Sequence, residues 1–85
     1  MRMSPLQVFL VDDEPLALKR LARLLCETEQ IEILGQETDP ESALTALQNE
    51  SLRHHLDALF LDIQMPVLNG FELLARLNWQ PFVIF

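Results

Sequence analysis

Two short apolar runs, each of which ends abruptly in acid, constrain the fold of this chain more than any other feature. The first run, 6–11, is followed by Asp12 and Asp13, and the second, 59–61, is followed by Asp62. Runs of this length that are rich in Val, Leu and Phe and end at breaker residues are typical of buried β-strands. If the two strands lie parallel and side by side, the three acids meet at one edge of a sheet. Their carboxylates repel one another unless a positive charge lies between them.

Helical and strand patterns alternate along the rest of the chain. The predicted elements are, in chain order, strand 6–11, a helix from 15 to 27 or 29, strand 31–37, a helix from 40 to between 48 and 52, strand 57–61, a helix from about 71 to a stop at 79–81, and strand 82–85. This alternation predicts an α/β fold with a parallel sheet and right-handed crossovers. If the strand order is 2-1-3-4, functional groups gather at the switch point between strands one and three, where the acids lie.

Several local features of these elements predict the setting of single residues. Asp13 stands two residues before Pro15 and Asp39 stands directly before Pro40, each at a helix start where an acid can cap the free N–H groups. Cys26, near the end of the first helix, is expected to behave as a small buried hydrophobe. His54 and His55 are assigned to a solvated connector, because no third metal ligand stands at a usable spacing.

Length and composition exclude several classes of protein. The 85 residues predict a single small domain spanning 1–85. A net charge of −7, from 13 acids and 6 bases, argues against a nucleic-acid surface on this segment. The single cysteine excludes an internal disulfide and favours a reducing, cytoplasmic setting. The first five residues are too short for a targeting signal, and the apolar run after them breaks too early for a membrane span.

The residues around the acids resemble the receiver domain of two-component response regulators. The resemblance rests on Val-Asp-Asp-Glu-Pro-Leu-Ala-Leu at 11–18 and on Leu-Phe-Leu-Asp-Ile-Gln-Met-Pro-Val-Leu-Asn-Gly-Phe-Glu-Leu-Leu at 59–74, and it extends over about 6–85. It implies a flavodoxin-like (CheY-like), doubly wound parallel sheet with strand order 2-1-3-4. The sequence Asp-Glu-Pro-Leu-Ala after strand one looks most like that of regulators whose receiver precedes a LytTR-type DNA-binding domain.

The resemblance also implies a role for each acid. Asp62 matches the phosphoacceptor, whose carboxylate attacks the phosphoryl group of a phosphohistidine on a sensor histidine kinase. Asp13 would bind Mg²⁺ directly, Asp12 would help through a metal-bound water, and Asp62 and the backbone carbonyl of Gln64 would be further ligands. Such a domain is a signalling switch that controls an output domain, not an enzyme with free turnover. The chemistry agrees with the residues, because Mg²⁺ favours carboxylates, waters and a phosphate.

The pattern of the family continues beyond strand four, whereas this sequence does not. A complete receiver has a Thr or Ser just after that strand, a Lys at the end of a fifth strand, and two further helices. Lys19 is the only lysine here, and it lies on the first predicted helix. We therefore expect slow or absent phosphotransfer in this chain. We also expect self-association, strand exchange between two copies or marginal stability, because strand four would be an exposed apolar edge.

Three other functions are compatible with parts of the pattern. A phosphorylation-incompetent, receiver-like module could act in dimerisation or partner binding. A phosphatase with an Asp nucleophile is disfavoured, because such enzymes commonly use a second acid two residues later, where this chain has Gln64. A dinucleotide-binding fold is disfavoured as well, because no glycine-rich turn follows strand one and the only glycines are Gly35 and Gly70.

Overall fold

The computed structural model of the chain describes residues 4–85 and contains a four-stranded parallel sheet flanked by helices. Its elements are, in chain order, β1 (Leu6–Val11), α1 (Pro15–Glu27), β2 (Ile31–Glu37), α2 (Pro40–Leu47), α3 (Glu50–His55), β3 (Ala58–Leu61), α4 (Gly70–Arg76) and β4 (Val83–Ile84). The predicted strand order is confirmed as β2-β1-β3-β4. No helix within 4–85 has both the length and the apolar character that a membrane span requires. The prediction about a targeting signal concerns 1–5, of which the first three residues lie outside the described part.

The register between the two central strands determines where the acids come to lie. Leu10 of β1 is level with Phe60 of β3, and Val11 is level with Leu61. The amide of Asp62 donates to the carbonyl of Val11 at 2.9 Å, so the pairing extends one residue past β3. Because both strands run in the same direction, the residues after Val11 and Leu61 leave the sheet side by side.

Each face of the sheet has its own apolar cluster, because successive side chains on a strand point to opposite faces. One face is covered by α2, α3 and α4 and buries Phe9, Val11, Ala43, Leu47, Leu59, Leu61, Met65, Leu68 and Leu73. The other face is covered by α1 and buries Val8, Leu10, Leu18 and Ala58. We call the first the three-helix face and the second the α1 face.

The segment after α2 differs from the prediction. We expected a connector there, and the structure instead has the short helix α3, which places His54 and His55 in its last turn. The side chain of Asn49 caps this helix by accepting from the amide of Leu52 at 3.1 Å. This cap ends α2 at Leu47, just short of the predicted range. Both histidines are exposed, as predicted for solvated residues.

Cys26 is exposed on α1, so the prediction of a buried thiol is wrong. The apolar stripe of this helix consists of Leu18, Leu21, Ala22 and Leu25, which pack in the cluster of the α1 face. At 3.6 residues per turn, Cys26 lies roughly 80° around the helix axis from Leu18. That angle puts Cys26 outside the stripe and leaves it in solvent.

Candidate metal-binding site

The side chains of Asp12, Asp13 and Asp62 meet where β1 and β3 end. Each offers one carboxylate oxygen, and these oxygens all lie within 4.8 Å of one another. All three residues are half-buried. The sequence predicted that these acids would share one edge of the sheet, and the register of β1 and β3 brings them there.

Asp12 and Asp62 are each held by a hydrogen bond inside their own loop. Oδ1 of Asp12 accepts from the amide of Glu14 at 2.9 Å, and Oδ1 of Asp62 accepts from the amide of Gln64 at 3.1 Å. A bond from the side chain to the amide two residues later forms an Asx turn, which bends the chain and orients the carboxylate. Sequence reasoning missed this role, although an Asp that directly follows a strand is its usual signal.

Asp13 does not cap α1, contrary to the prediction. Glu14 occupies the N-cap position, and its side chain makes no capping hydrogen bond. The carboxylate of Asp13 lies in the acidic cluster instead. The matching prediction for α2 is confirmed, because Asp39 accepts from the amide of Ser42 at 3.0 Å. The two helix starts differ because the Asx turn of Asp12 already bends the chain into α1.

The acidic cluster raises the pKa of the Asp13 carboxyl above its ordinary value of 3.8. Partial burial is the largest cause, because it disfavours the charged form. A hydrogen bond with Asp62 and the negative charges of Asp62 and Asp12 raise this pKa further. The cluster therefore favours a bound proton or a bound cation. A divalent cation would supply the positive charge that the three carboxylates lack.

The loop after Asp62 is fixed against the start of α4. The amides of Met65 and Gly70 both donate to the carbonyl of Ile63, at 3.2 and 3.0 Å. Met65 is buried in the three-helix face. Gln64, whose carbonyl is the expected further metal ligand, lies inside this anchored loop, and its role as a ligand stays a prediction.

The donor atoms of the cluster suit a hard divalent cation. Carboxylate oxygens are typical ligands of Mg²⁺, which also keeps waters and takes phosphate oxygens as ligands. A recess of about 360 Å³ runs from Asp12 and Asp62 past Leu21, Phe60 and Ile84 on the α1 face. Its acidic end is therefore open to an ion and to a group carried by that ion.

Comparison with known proteins agrees with this architecture. The family model described as "Response regulator receiver domain" matches residues 8–85. An uncharacterized response regulatory protein of Vibrio cholerae is 40% identical over 82 residues, which cover 94% of this chain and 33% of that protein. The transcriptional regulatory protein BtsR of Salmonella typhimurium is also 40% identical over 82 residues, with the same coverage of 94% and 33%. The chain thus spans about one third of the length of these curated relatives.

Solved structures with the same fold are also response regulator proteins. The CheX–CheY–BeF3–Mg²⁺ complex from Borrelia burgdorferi contains a chain with a TM-score of 0.71 and 28% identity, over 85% of this chain and 52% of that one. The REC domain of AraT, a response regulator from Geobacillus stearothermophilus, has a TM-score of 0.58 and 29% identity, over 82% of this chain and 52% of that one. A family model that matches nearly all of the sequence, together with this fold, shows that the chain belongs to the response regulator receiver domain family.

Proposed function

We propose that Asp62 is the phosphoacceptor of this receiver domain and that Mg²⁺ is held by Asp12, Asp13, Asp62 and the backbone carbonyl of Gln64. The observation that carries the proposal is the cluster of three carboxylates at the ends of β1 and β3, whose oxygens lie within 4.8 Å of one another. Mg²⁺, when bound, offsets negative charge on the phosphoryl group. Asp12 would help to hold the metal through a metal-bound water.

The residues of the chain have distinct parts in the transfer. Oδ1 of Asp62 accepts from the amide of Gln64, so we assign the attack on phosphorus to Oδ2. As the new O–P bond forms, the bond from phosphorus to the histidine nitrogen of the donor breaks, and Asp62 becomes an acyl phosphate. The attraction for the metal would come from the unbalanced negative charge of the three clustered carboxylates.

The proposed partner is a sensor histidine kinase, and the proposed role is a switch in signalling. A receiver domain is a signalling domain, and its own phosphorylation and dephosphorylation are the only chemistry that we propose for it. Because the chain spans about one third of relatives named as transcriptional regulators, we propose that residues 1–85 are part of a single receiver domain in a longer cytoplasmic regulator. The Asp-Glu-Pro-Leu-Ala wording at 13–17 favours a LytTR-type DNA-binding output.

The experiment combines a small phosphodonor, Mg²⁺ and intact-mass analysis. We expect a slow, Mg²⁺-dependent gain of one phosphoryl group. The reaction should be slow because the only lysine of this sequence, Lys19, is exposed on α1 and does not occupy the position of the lysine that a complete receiver has at the end of its fifth strand. The gain should be lost in Asp62→Asn and kept in Asp57→Asn. Asp57 is the matched control because it lies at the opposite end of β3, where its carboxylate accepts from the amide of Gln7 at 2.7 Å, and Asn keeps an acceptor there. A gain that Asp62→Asn keeps would contradict the assignment of Asp62.

A second candidate function is association through β4. This strand is the edge of the sheet, and Phe82, Ile84 and Phe85 around it are 70%, 38% and 61% exposed. The ring of Phe85 packs on the exposed ring of Phe71 with a centroid distance of 5.3 Å. Exposed apolar edge strands pair with other chains. We propose that two copies of this chain pair along β4.

Sedimentation equilibrium of the purified chain tests this second candidate. Ile84→Lys charges the free edge and should shift the chain toward monomer. Leu24→Lys is the control, because it adds the same charge at a residue that is 61% exposed on α1 and is not part of the β4 edge. A wild-type chain that stays monomeric, or equal dimerisation of Ile84→Lys and wild type, would contradict pairing through β4. A dimer that gains no phosphoryl group would favour the interaction module over the phosphoacceptor.

A further inference from the structure

The first turn of α4 lies directly against the main chain that follows Asp62. A Cβ atom built on Gly70 would stand 2.9 Å from the carbonyl oxygen of Asp62 and 3.1 Å from Cα of Ile63. Gly70 is buried, and its φ is not positive, so its backbone conformation is open to other residues. What the position requires is the absence of a side chain, because another backbone approaches it closely.

A methyl group at position 70 would press on atoms that have little room to move. The neighbours at 2.9 and 3.1 Å are backbone atoms, which cannot rotate away as the end of a side chain can. Asp62 itself is also fixed, because its amide donates a hydrogen bond to the carbonyl of Val11 at 2.9 Å. The helix is held on its own side by Leu73, which is 0% exposed.

The start of α4 is fixed by a capping box as well. The amide of Glu72 donates to Oδ1 of Asn69 at 2.9 Å, and the amide of Asn69 donates to Oε1 of Glu72 at 3.1 Å. Because α4 and β3 are both fixed, a methyl group at position 70 would displace the peptides between Asp62 and Gln64. The same peptides carry the amide that orients the Asp62 carboxylate.

We infer that Gly70 is a positioning residue for the metal site. Its missing side chain lets α4 abut the Asp62 carbonyl, and this contact fixes the segment 62–64 that supplies both the Asp62 carboxylate and the Gln64 carbonyl. The inference rests on the proposed Mg²⁺ site. It predicts that Gly70 influences metal affinity without touching the metal.

The chain offers a matched control in its other glycine. A Cβ atom on Gly35, in β2, would stand 2.7 Å from the ring of Phe9, so Gly35→Ala also crowds the structure. That contact is with a side chain of the three-helix face and not with the backbone of the acidic loop. Both Gly→Ala variants should lose stability, and only Gly70→Ala should lose affinity for Mg²⁺.

The test is a Mg²⁺ titration followed by backbone amide NMR shifts in wild type, Gly70→Ala, Gly35→Ala and Asp13→Asn. All four are measured with the same concentration of sucrose, which favours the folded state. We expect the Kd for Mg²⁺ to rise roughly tenfold or more in Gly70→Ala, as for other residues that orient metal ligands. We expect the metal-free amide shift of Gln64 to change in the same variant. In Gly35→Ala, the Kd for Mg²⁺ and the amide shift of Gln64 should both stay at their wild-type values.

The outcomes separate this inference from the function on which it rests. If the wild-type chain shows no shifts on adding Mg²⁺, the proposed metal site itself is wrong. If wild type binds Mg²⁺, Asp13→Asn does not, and Gly70→Ala binds as tightly as wild type, the metal site stands and the positioning role is overturned. If Gly70→Ala does not fold even in sucrose, Asn69→Ala replaces it. This variant loosens the start of α4 and should also weaken Mg²⁺ binding, and unchanged affinity would overturn the role of α4.

Discussion

The two faces of the sheet differ in how completely helices cover them. The three-helix face buries nine apolar residues, and the α1 face buries four. Neighbouring residues of β3 show the contrast, because Leu61 is 2% exposed on the first face whereas Phe60 is only partly buried on the second. Adjacent residues on one strand thus lie in a packed core and beside an open recess.

This difference divides the work around the acidic cluster. The loop after Asp62 packs through Met65 into the three-helix face, and this packing holds the carboxylates in place. The recess beside Asp12 and Asp62 opens toward Leu21 and Phe60 on the α1 face. One face therefore provides rigidity, and the other has the open recess that the proposed ion and phosphoryl group would use. If this division holds, equal changes on the two faces must have unequal effects.

The largest expected difference is between two leucine truncations. Leu73→Ala removes a side chain that is 0% exposed on the three-helix face and should lower the free energy of unfolding by about 2–5 kcal/mol. Leu21→Ala makes the same chemical change in a half-buried position on the α1 face. It should cost clearly less, because less apolar area returns to water and no closed cavity forms. Urea denaturation of both variants, with equal m-values, measures the two losses. Equal losses would mean that the α1 face is as closed in solution as the other.

The next prediction concerns the border of the three-helix face. The indole of Trp79 is partly buried and donates to the carbonyl of Leu47 at 2.9 Å, which satisfies the end of α2. Trp79→Phe keeps an aromatic ring and removes the donor, and it should cost about 0.5–1.5 kcal/mol. The guanidinium of Arg53 lies 5.7 Å from the same ring. Arg53→Met should therefore lower the free energy of unfolding by less than Trp79→Phe does. The control Arg20→Met changes an exposed residue of α1 and should leave Tm unchanged in thermal melts. A neutral Trp79→Phe would show that this border is open as well.

A smaller effect of opposite sign is expected at the acidic cluster. The pKa of Asp13 is raised in the folded chain, so the native state binds more protons than the unfolded state as the pH moves above 3.8. Stability from this group is therefore lost as the pH rises through the folded pKa, and the loss is complete above it. Asp13→Asn should raise Tm in the absence of metal at neutral pH. This gain should shrink as the pH falls toward 3.8.

Adding Mg²⁺ should reverse the order of the two Tm values, so that the wild type melts at a higher temperature than Asp13→Asn. The wild type gains stability that grows with the logarithm of the Mg²⁺ concentration above its Kd, whereas Asp13→Asn has lost a proposed ligand. Calorimetric melts with and without Mg²⁺ provide the comparison. A lower Tm for metal-free Asp13→Asn than for metal-free wild type would contradict the repulsion among the three acids. The shift should be smaller than those of the core variants, because the carboxyl is half-exposed and water screens its charge.

Sequence reasoning identified the acids because two simple patterns fix them. Apolar runs locate β1 and β3, and the strand order that the resemblance implies places the two strands side by side, so that their carboxyl ends bring Asp12, Asp13 and Asp62 together. The same reasoning failed in the short polar segment after α2, where a capping residue and not an apolar pattern determines the helix. Helix α3 begins at Glu50, directly after the N-cap residue Asn49, and the prediction did not use this capping signal. Cys26 was misplaced because its position on the helix, not its residue type, decides its exposure.

The contacts that position the acids could not be predicted from composition or periodicity. The Asx turn of Asp62 depends on the path of one peptide, and the contact at Gly70 depends on how closely α4 approaches β3. Both are distances of about one hydrogen bond or one methyl group, and they follow from the packing of distant elements. The sequence can identify a glycine in a turn dipeptide, but it does not say which backbone lies opposite.

The smallest effect is expected from the ion pair between Arg76 and Glu41, at 2.9 Å, which joins α4 to α2 on the outside of the three-helix face. The two side chains are 50% and 55% exposed, so solvent screens their attraction and ordering them costs side-chain entropy. A double-mutant cycle with Glu41→Gln and Arg76→Met should give a coupling energy of about 0–1 kcal/mol that falls with added salt. A larger, salt-resistant coupling would show that charges at the rim, and not the apolar cluster beneath them, hold α4 in place. In that case Leu73→Ala would have to be explained by its effect on the rim. If the coupling is small, the rigidity that the acidic cluster receives from α4 comes from apolar packing.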